Sequence, residues 1–311
     1  MRKVIGIGET ILDIIFKDNQ PHKAVPGGSV FNGFVSLARL GVPLAFISEL
    51  GNDKVGDIIR AFMDENGIST EYVDRFPDGK SPVSLAFLKE QNQAEYVFYK
   101  DYPNQRLEVP FPRIEADDIL IFGSYYSLNP ALRQRTLELL EYAHDRKAII
   151  YYDPNFRKAH AHEAIRLLPT VFENLEFADI VRGSDEDLYN LFGKEDIKQV
   201  YEEHIRFYCN TCITTHGKDG VDLFVGKEYE HFTTPSISPL STIGAGDSLN
   251  AGIIYALLKY DIRRDDLPQL TKEVWAKIIR CGIDLATEVC MNYDNYISAT
   301  FADTYRQGML K

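Results

Sequence analysis

The sequence predicts an α/β fold: a central, mostly parallel sheet flanked by helices, with a small inserted β-sheet lid. Three observations carry that expectation. Short β-rich runs alternate with longer helical patterns, the order that a parallel sheet covered by helices imposes. Two segments, about 11–26 and 83–101, interrupt the alternation with β-like runs that no helix covers. The 311 residues are 45% hydrophobic and 26% charged, which suits a globular chain long enough to bury a large core. Length alone also allows two domains. No repeat, low-complexity stretch or long linker divides the chain, so residues 1–311 read as one α/β domain with the lid inserted rather than appended.

Taken in order, "KVIGIG" (3–8) reads as the opening strand. "SVFNGFVSLARLG" (29–41) sets Val30, Phe34, Leu37 and Leu40 on one helical face, with Gly41 as the stop. "LAFISELG" is a strand and "GDIIRAFMDENG" a helix closed by Gly67. "DILIFGS" (118–124), "KAIIYYDP" (147–154) and "ADIVRGS" (178–184) are further strands, and the segments between, notably 130–145 and 185–193, are helical. "CITTHG" (212–217) precedes a hairpin, "GVDLFVGKEYEHF". From Asp247 onward two long helices are expected. In the first lid segment "TILDIIF" leads into a polar loop with Pro21 and Pro26. The second, "VSLAFLKEQNQAEYVFYKD", is a hairpin around a polar turn. Together they predict a small antiparallel sheet whose aromatics, among Phe87, Tyr96, Phe98 and Tyr99, cover a substrate or a second subunit.

Charge and composition exclude several classes. The net charge of −12 argues against a nucleic-acid partner, which clustered Lys and Arg would bind. Without a basic run or basic amphipathic helix, an anionic membrane is excluded too. "MRKVIGIGETILDII" is broken by Glu9 and Asp13 and lacks a small-residue cleavage site, so it does not read as a signal peptide. No stretch reaches the roughly 18 apolar residues of a membrane span. A cytoplasmic location is the expectation. Cys209 and Cys212 form a C-x-x-C without a second pair at zinc spacing, and they read as buried thiols.

The chemistry concentrates in "STIGAGDSLNAG" (241–252). Gly244, Ala245 and Gly246 allow a sharp, unencumbered turn into a helix whose first amides point outward, with the macrodipole adding positive charge. Such a terminus binds phosphate oxygens. Asp247 beside it makes sense as the base that takes a proton from a hydroxyl attacking a phosphate; an N-capping Asp is the structural alternative. "GGSVFN" (27–32) opens a second helix on a Gly pair, with Asn32 one turn in and Asp13 just upstream. Asp and Asn grip sugar hydroxyls through directed hydrogen bonds. "DPNFR" (153–157) ends a strand, where open α/β sheets place ligands, and offers Asn155 and Arg157. "TTHGKDG" (214–220) again sets two glycines after a strand.

With these motifs in this order, the chain resembles the ribokinase-like sugar kinases, the PfkB carbohydrate kinase family. The resemblance runs from "GIGETILDI" through "GGSVFNGFVSLARLG", "ELGNDKVGDII", "DPNFR" and "THGKDG" to "GAGDSLNAG", nearly the full length. It implies an ATP-dependent kinase that phosphorylates a sugar hydroxyl with Mg²⁺ assisting. By carry-over, Asp247 resembles the catalytic base and the backbone of Gly244, Ala245 and Gly246 the anion hole. Asp13, Gly27, Gly28 and Asn32 match the sugar-holding positions, and Asn155 and Arg157 the D-x-N-x-R element. Thr215, Gly217 and Gly220 match the T-x-G-x-x-G of the nucleotide site. The family's lid is built from inserted strands, which in several members also form a homodimer contact.

Two departures stand out. The family usually has Asp-Thr before G-A-G-D, and that Asp is tied in many members to a bound potassium ion; here the pair is Ser241-Thr242. Where the family shows N-x-x-E, an element of the Mg²⁺–phosphate network, this chain has Ser184 and Asp187. The expectation is an active enzyme with altered monovalent-cation and Mg²⁺ handling. "DPNFR" and the bulky "SVF" after the Gly pair resemble the fructokinase and 2-keto-3-deoxygluconate kinase branches, which favours fructose or a related keto-sugar. A ribokinase or nucleoside kinase is the alternative within the family. A catalytically weak sugar-binding regulatory protein is the alternative of another class. A nicotinamide oxidoreductase is disfavoured, because "GIGE" lacks the rest of a dinucleotide fingerprint.

Overall fold

A computed structural model describes residues 2–88, 94–103 and 106–308. The chain opens with β1 (Val4–Ile7) and passes into the lid strands β2 (Ile11–Lys17) and β3 (Gln20–Gly27). It returns through α1 (Ser29–Arg39), β4 (Leu44–Gly51), α2 (Lys54–Glu65) and β5 (Val73–Phe76). A second lid excursion, β6 (Lys80–Leu88) and β7 (Ala94–Asp101), precedes β8 (Ile119–Gly123), α3 (Arg133–Asp145) and β9 (Ile149–Asp153). Next come α4 (Ala164–Phe177), β10 (Ile180–Ser184), α5 (Asp185–Phe192), α6 (Ile197–Val200) and β11 (Thr211–Thr215). The hairpin β12 (Val221–Val225) and β13 (Glu228–Phe232) leads to α7 (Ala245–Lys259), α8 (Lys272–Cys290) and α9 (Ala299–Arg306).

The large sheet runs in the order β13-β12-β11-β10-β9-β8-β1-β4-β5, parallel from β11 to β5 with the β12–β13 hairpin antiparallel at one end. Its inner strands β1, β8 and β9 are buried at every residue because both faces are covered. Ile119, Ile121, Ile149, Tyr151 and Ile180 face the layer of α1, α2, α7, α8 and α9. Leu120, Phe122, Ile150, Tyr152 and Val181 face the layer of α3, α4 and α5. The period of two along each strand thus sorts one core into two. From β1 the chain builds toward β4 on one side and later toward β8 on the other. That reversal of strand order marks where such sheets bind ligands, beyond their C-terminal ends.

The small sheet has the order β3-β2-β6-β7. It corrects the sequence reading in two ways. The stretch expected as a polar loop with Pro21 and Pro26 is a strand, β3; it lies at the sheet edge, where a missing N–H is tolerated, and a bulge between Ile15 and Phe16 adjoins Pro21. The sheet is also mixed rather than antiparallel, since β2 pairs with β6 in parallel. The reason is topological: β1 and β5 are parallel, so the excursions that follow them leave the same edge in the same direction. Phe87 stacks on Phe16 with ring centroids 4.9 Å apart, while Phe98 and Tyr99 are exposed on β7. The turn expected at 89–93 and the side chain of Tyr96 lie outside the described residues.

Candidate active site

The start of α7 is built by close packing. Gly244, at φ +79°, precedes the helix, and a Cβ there would lie 2.1 Å from the Asn295 carbonyl oxygen. A Cβ on Gly246 would lie 2.9 Å from both terminal nitrogens of Arg182. Both glycines are therefore required by the protein's own backbone and an arginine, and not only by room for a ligand as the motif suggests. The Ala245 amide donates to Thr242 O at 3.3 Å, and the first helical bond runs from Ser248 N to Gly244 O at 2.9 Å. The amides of Gly246 and Asp247 fall between these two, at the positive end of the helix.

Asp247 does not cap its own helix. Its carboxylate is held from α1, accepting from Ser29 Oγ at 3.0 Å and from Asn32 Nδ2 at 2.8 Å. Asn155 Nδ2 donates to the same Ser29 hydroxyl at 2.8 Å. Asn155 has φ +38°, a strained backbone steadied by its N–H bond to Asp153 Oδ1 at 3.0 Å. Burial pushes the Asp247 carboxyl up to about 6, against the pull of Asn32, Arg157 and Ser29, with Asp153 adding to the rise. A carboxylate poised there is ionised at neutral pH yet basic enough to take a proton. Arg157 is exposed and acts on Asp247 through its charge.

Asp13 stands on β2 of the small sheet, buried, and accepts from Ser84 Oγ of β6. Burial raises it to about 6, Ser84 lowers it, and Glu9 and Asp247 raise it further. Gly27 closes against it: a Cβ there would lie 2.5 Å from Asp13 Oδ2. Gly28, at φ +135°, passes so near Glu9 that a Cβ would sit 2.1 Å from its carbonyl oxygen. Asn32 Oδ1 is buried with no hydrogen-bond partner, leaving an acceptor for a ligand hydroxyl beside Asp247. Asp13, Gly27, Gly28, Asn32, Asn155 and Asp247 are thus drawn to one end of the sheet.

On the neighbouring strand ends, the β10–β11 register sets Ser184 opposite Thr215. Ser184 and Asp187 form a capping box at the start of α5, the Ser184 hydroxyl donating to Asp187 Oδ2 at 2.6 Å. Thr215 Oγ1 accepts from Arg182 Nη2 at 2.6 Å. Gly217, at φ +56°, is exposed, with no atom within 4 Å of where a Cβ would be, so the space beside it is open. Gly220, at φ +118°, serves the hairpin instead, since a Cβ would meet Phe232 O at 2.5 Å. Among the described residues no group of three or more His, Cys, Asp or Glu side chains could hold a metal ion. Cys209 and Cys212 are buried free thiols, and burial pushes Cys212 up to about 12.

Four residues of this cluster escape the motif reading. Ser29 links Asp247 to Asn155; Asp153 Oδ2 accepts from Arg182 Nη1 at 3.0 Å and from Asn250 Nδ2 at 2.6 Å. The signal for Arg182 was available, because a lone arginine in the strand "DIVRGS" of a sheet covered on both faces has to be paired. Ser29 and Asn250 sit inside quoted motifs but carry no spacing cue of their own.

A family model described as pfkB family carbohydrate kinase matches residues 1–298. A fructokinase of Vibrio alginolyticus is 25% identical over 262 residues, covering 84% of this chain and 85% of that protein. The crystal structure of a fructokinase double mutant from Vibrio cholerae O395, bound to fructose, ADP and potassium ion, superposes with a TM-score of 0.86. It is 19% identical and covers 100% of this chain and 99% of the other. An aminoimidazole riboside kinase from Salmonella enterica, complexed with its riboside and an ATP analog, gives 0.78 at 22% identity, covering 98% and 100%.

Proposed function

The chain belongs to the pfkB family of carbohydrate kinases, and from that we propose that it transfers the γ-phosphoryl group of ATP to a hydroxyl of fructose or a related keto-sugar. The observation that carries the reading is the Asp247 carboxylate, buried beside the first amides of α7 and held by Ser29 and Asn32 so that it cannot serve as a cap. Asp247 takes the proton of the acceptor hydroxyl. The freed oxygen forms a bond to the γ-phosphorus while the bond from that phosphorus to the β–γ bridging oxygen breaks, its electron pair leaving on ADP. The amides of Gly246 and Asp247 face the charge on the moving phosphoryl group. Asp13, Gly27, Gly28 and Asn32 hold the sugar, and Asn155 and Arg157 its reacting end. Ser184, Thr215 and Gly217 form the nucleotide side, where the open space at Gly217 suits a close ligand, while Gly220 shapes the hairpin behind them.

Mg²⁺ bound with ATP would neutralise phosphate charge, held largely by the phosphates and water. Asp187 is the carboxylate that would reach it through water. The test of the whole reading is ADP release over a panel of fructose, other hexoses, ribose and nucleosides. Fructose or another keto-sugar should stimulate turnover most. If no sugar stimulates turnover while one raises the melting temperature, the chain is a binding protein and the kinase reading falls.

Ser241 is buried, and its hydroxyl accepts from the Ile243 amide at 3.2 Å, a backbone-bracing role that needs no ion. Ser241→Asp adds the negative ligand that the family ties to potassium. Its turnover should become more dependent on KCl relative to NaCl; an unchanged response would separate position 241 from ion handling. Among the described residues no helix is long and apolar enough to cross a membrane. Exposed Val97, Phe98 and Tyr99 on the edge strand β7 support a homodimer through the lid. A monomeric mass by light scattering would remove that part of the proposal.

A further inference from the structure

Arg182 occupies the middle of β10, a strand buried up to its last residue. It is itself buried, with 4% of its surface exposed. Its guanidinium meets three segments at once. Nη1 donates to Asp153 Oδ2 at the end of β9 at 3.0 Å, and Nη2 donates to Thr215 Oγ1 at the end of β11 at 2.6 Å. Both nitrogens press on the start of α7, where they come within 2.9 Å of the Cβ that Gly246 lacks. Asp153 extends the junction: one oxygen also accepts from Asn250 Nδ2 of α7 at 2.6 Å, and the other accepts from the Asn155 amide at 3.0 Å. Each segment thus braced carries one part of the site, Asn155 and Arg157, Thr215 and Gly217, or Asp247.

Stability is a poor reason for such an arrangement. Burying a charge pair costs as much as the attraction returns, and apolar replacements of the same volume often stabilise. Arg182 Nε is moreover buried with no hydrogen-bond partner, a further unfavourable group. Burial opposes the charge, and Asp153 and Asp187 sustain it.

Resting on the kinase reading, we infer that Arg182 is the positioning residue of phosphoryl transfer: it locks the sugar, nucleotide and α7 segments in one register and stands a permanent positive charge directly behind the anion hole. The phosphate turn of this chain has no lysine of its own; the cation is supplied from beneath, through the gap that Gly246 leaves. Arginine suits the task because its planar fork reaches several partners at fixed angles.

The test compares R182K, D153N and R182M/D153N by thermal unfolding, steady-state kinetics and calorimetric ATP binding. The double variant removes both charges, so its melting temperature should stay near wild type. Its kcat should nevertheless fall about 10²-fold, the loss expected when the segments that carry the reacting groups slip out of register. ATP affinity should weaken about tenfold, with KM for the sugar little changed. R182K keeps the charge but loses the fork, and its kcat should fall between those of wild type and the double variant, as should that of D153N. A double variant with wild-type kcat and ATP affinity, or a D153N or R182K as slow as the double, would overturn the inference while the kinase reading stands. A wild-type chain that neither binds ATP nor turns over would overturn both.

Discussion

Asp247→Asn is expected to lower kcat by about 10³-fold while leaving sugar binding nearly intact, and at the same time to stabilise the fold at neutral pH. The kinetic part follows from the amide's inability to take a proton. The stability part follows from burial. The Asp247 carboxyl ionises at its ordinary 3.8 when unfolded but holds its proton to about 6 when folded. Between those values the folded chain binds the extra proton, so stability declines as pH rises through the window and stays lower above it. The shift sets a ceiling of about 3 kcal/mol, less whatever hydrogen bonding the amide forfeits. The melting temperature of the variant should exceed wild type near about pH 8, with the gain vanishing near about pH 4. Loss of both turnover and stability at neutral pH would mark Asp247 as structural.

On the proposed role, the same carboxyl should set the acid side of the rate profile. In the wild type kcat/KM should fall as pH drops through about 6, as Asp247 gains its proton. Asp13 is raised to about 6 as well, and if the reaction needs both carboxylates ionised the limb belongs to the pair and approaches a two-proton slope on its acid side. Asp13→Asn should return it to a single-proton slope.

Gly244→Ala is expected to cost about 3 kcal/mol or more and to remove most activity. The left-handed conformation at φ +79° accounts for about 1 kcal/mol, and a Cβ 2.1 Å from the Asn295 carbonyl oxygen must force backbone apart. Because Gly244 precedes α7, that movement shifts the amides and Asp247 together. Gly67→Ala is the control, since Gly67 has φ +69° but no atom within 4 Å of the added Cβ. It should lose only about 1 kcal/mol and keep full turnover. Equal denaturation midpoints for the two variants would show that the Asn295 contact relaxes freely.

The strands and helices with strong periodicity are legible in the sequence. α1, α2, β4, β8, β9, β10 and the β12–β13 hairpin fall where the apolar pattern and the stop glycines place them. β3 was not, because Pro21 and Pro26 argue against a strand unless its edge position is known, and edge position is a property of the whole sheet. β5, only "VDRF", is too short and half-polar to show a period. α9 lies past two longer helices and was not anticipated. The motifs at the strand ends stand out in the sequence, while the contacts that join them do not. Ser29, Asp153, Arg182 and Asn250 gain meaning only from where α1, β9, β10 and α7 converge. Gly246 is the least transparent in sequence: its missing side chain makes room for an arginine from a strand more than sixty residues earlier.

The parallel pairing of β2 with β6 also has a bearing on how the chain reaches this state. It joins Asp13 to Ser84 across a sequence separation of 71 residues, with α1, β4, α2 and β5 between. Closing so long a loop carries an entropic cost that its contacts repay only once the intervening segment is compact. The small sheet is therefore expected to form after the segment it encloses. Until it forms, the β2–β3 hairpin waits with Phe16 unmatched and an edge unpaired, the kind of surface on which nascent chains aggregate. Ligand that bridges Asp13 and Asp247 would draw this last step forward, so refolding yield should be a property of the sugar supply as well as of the sequence.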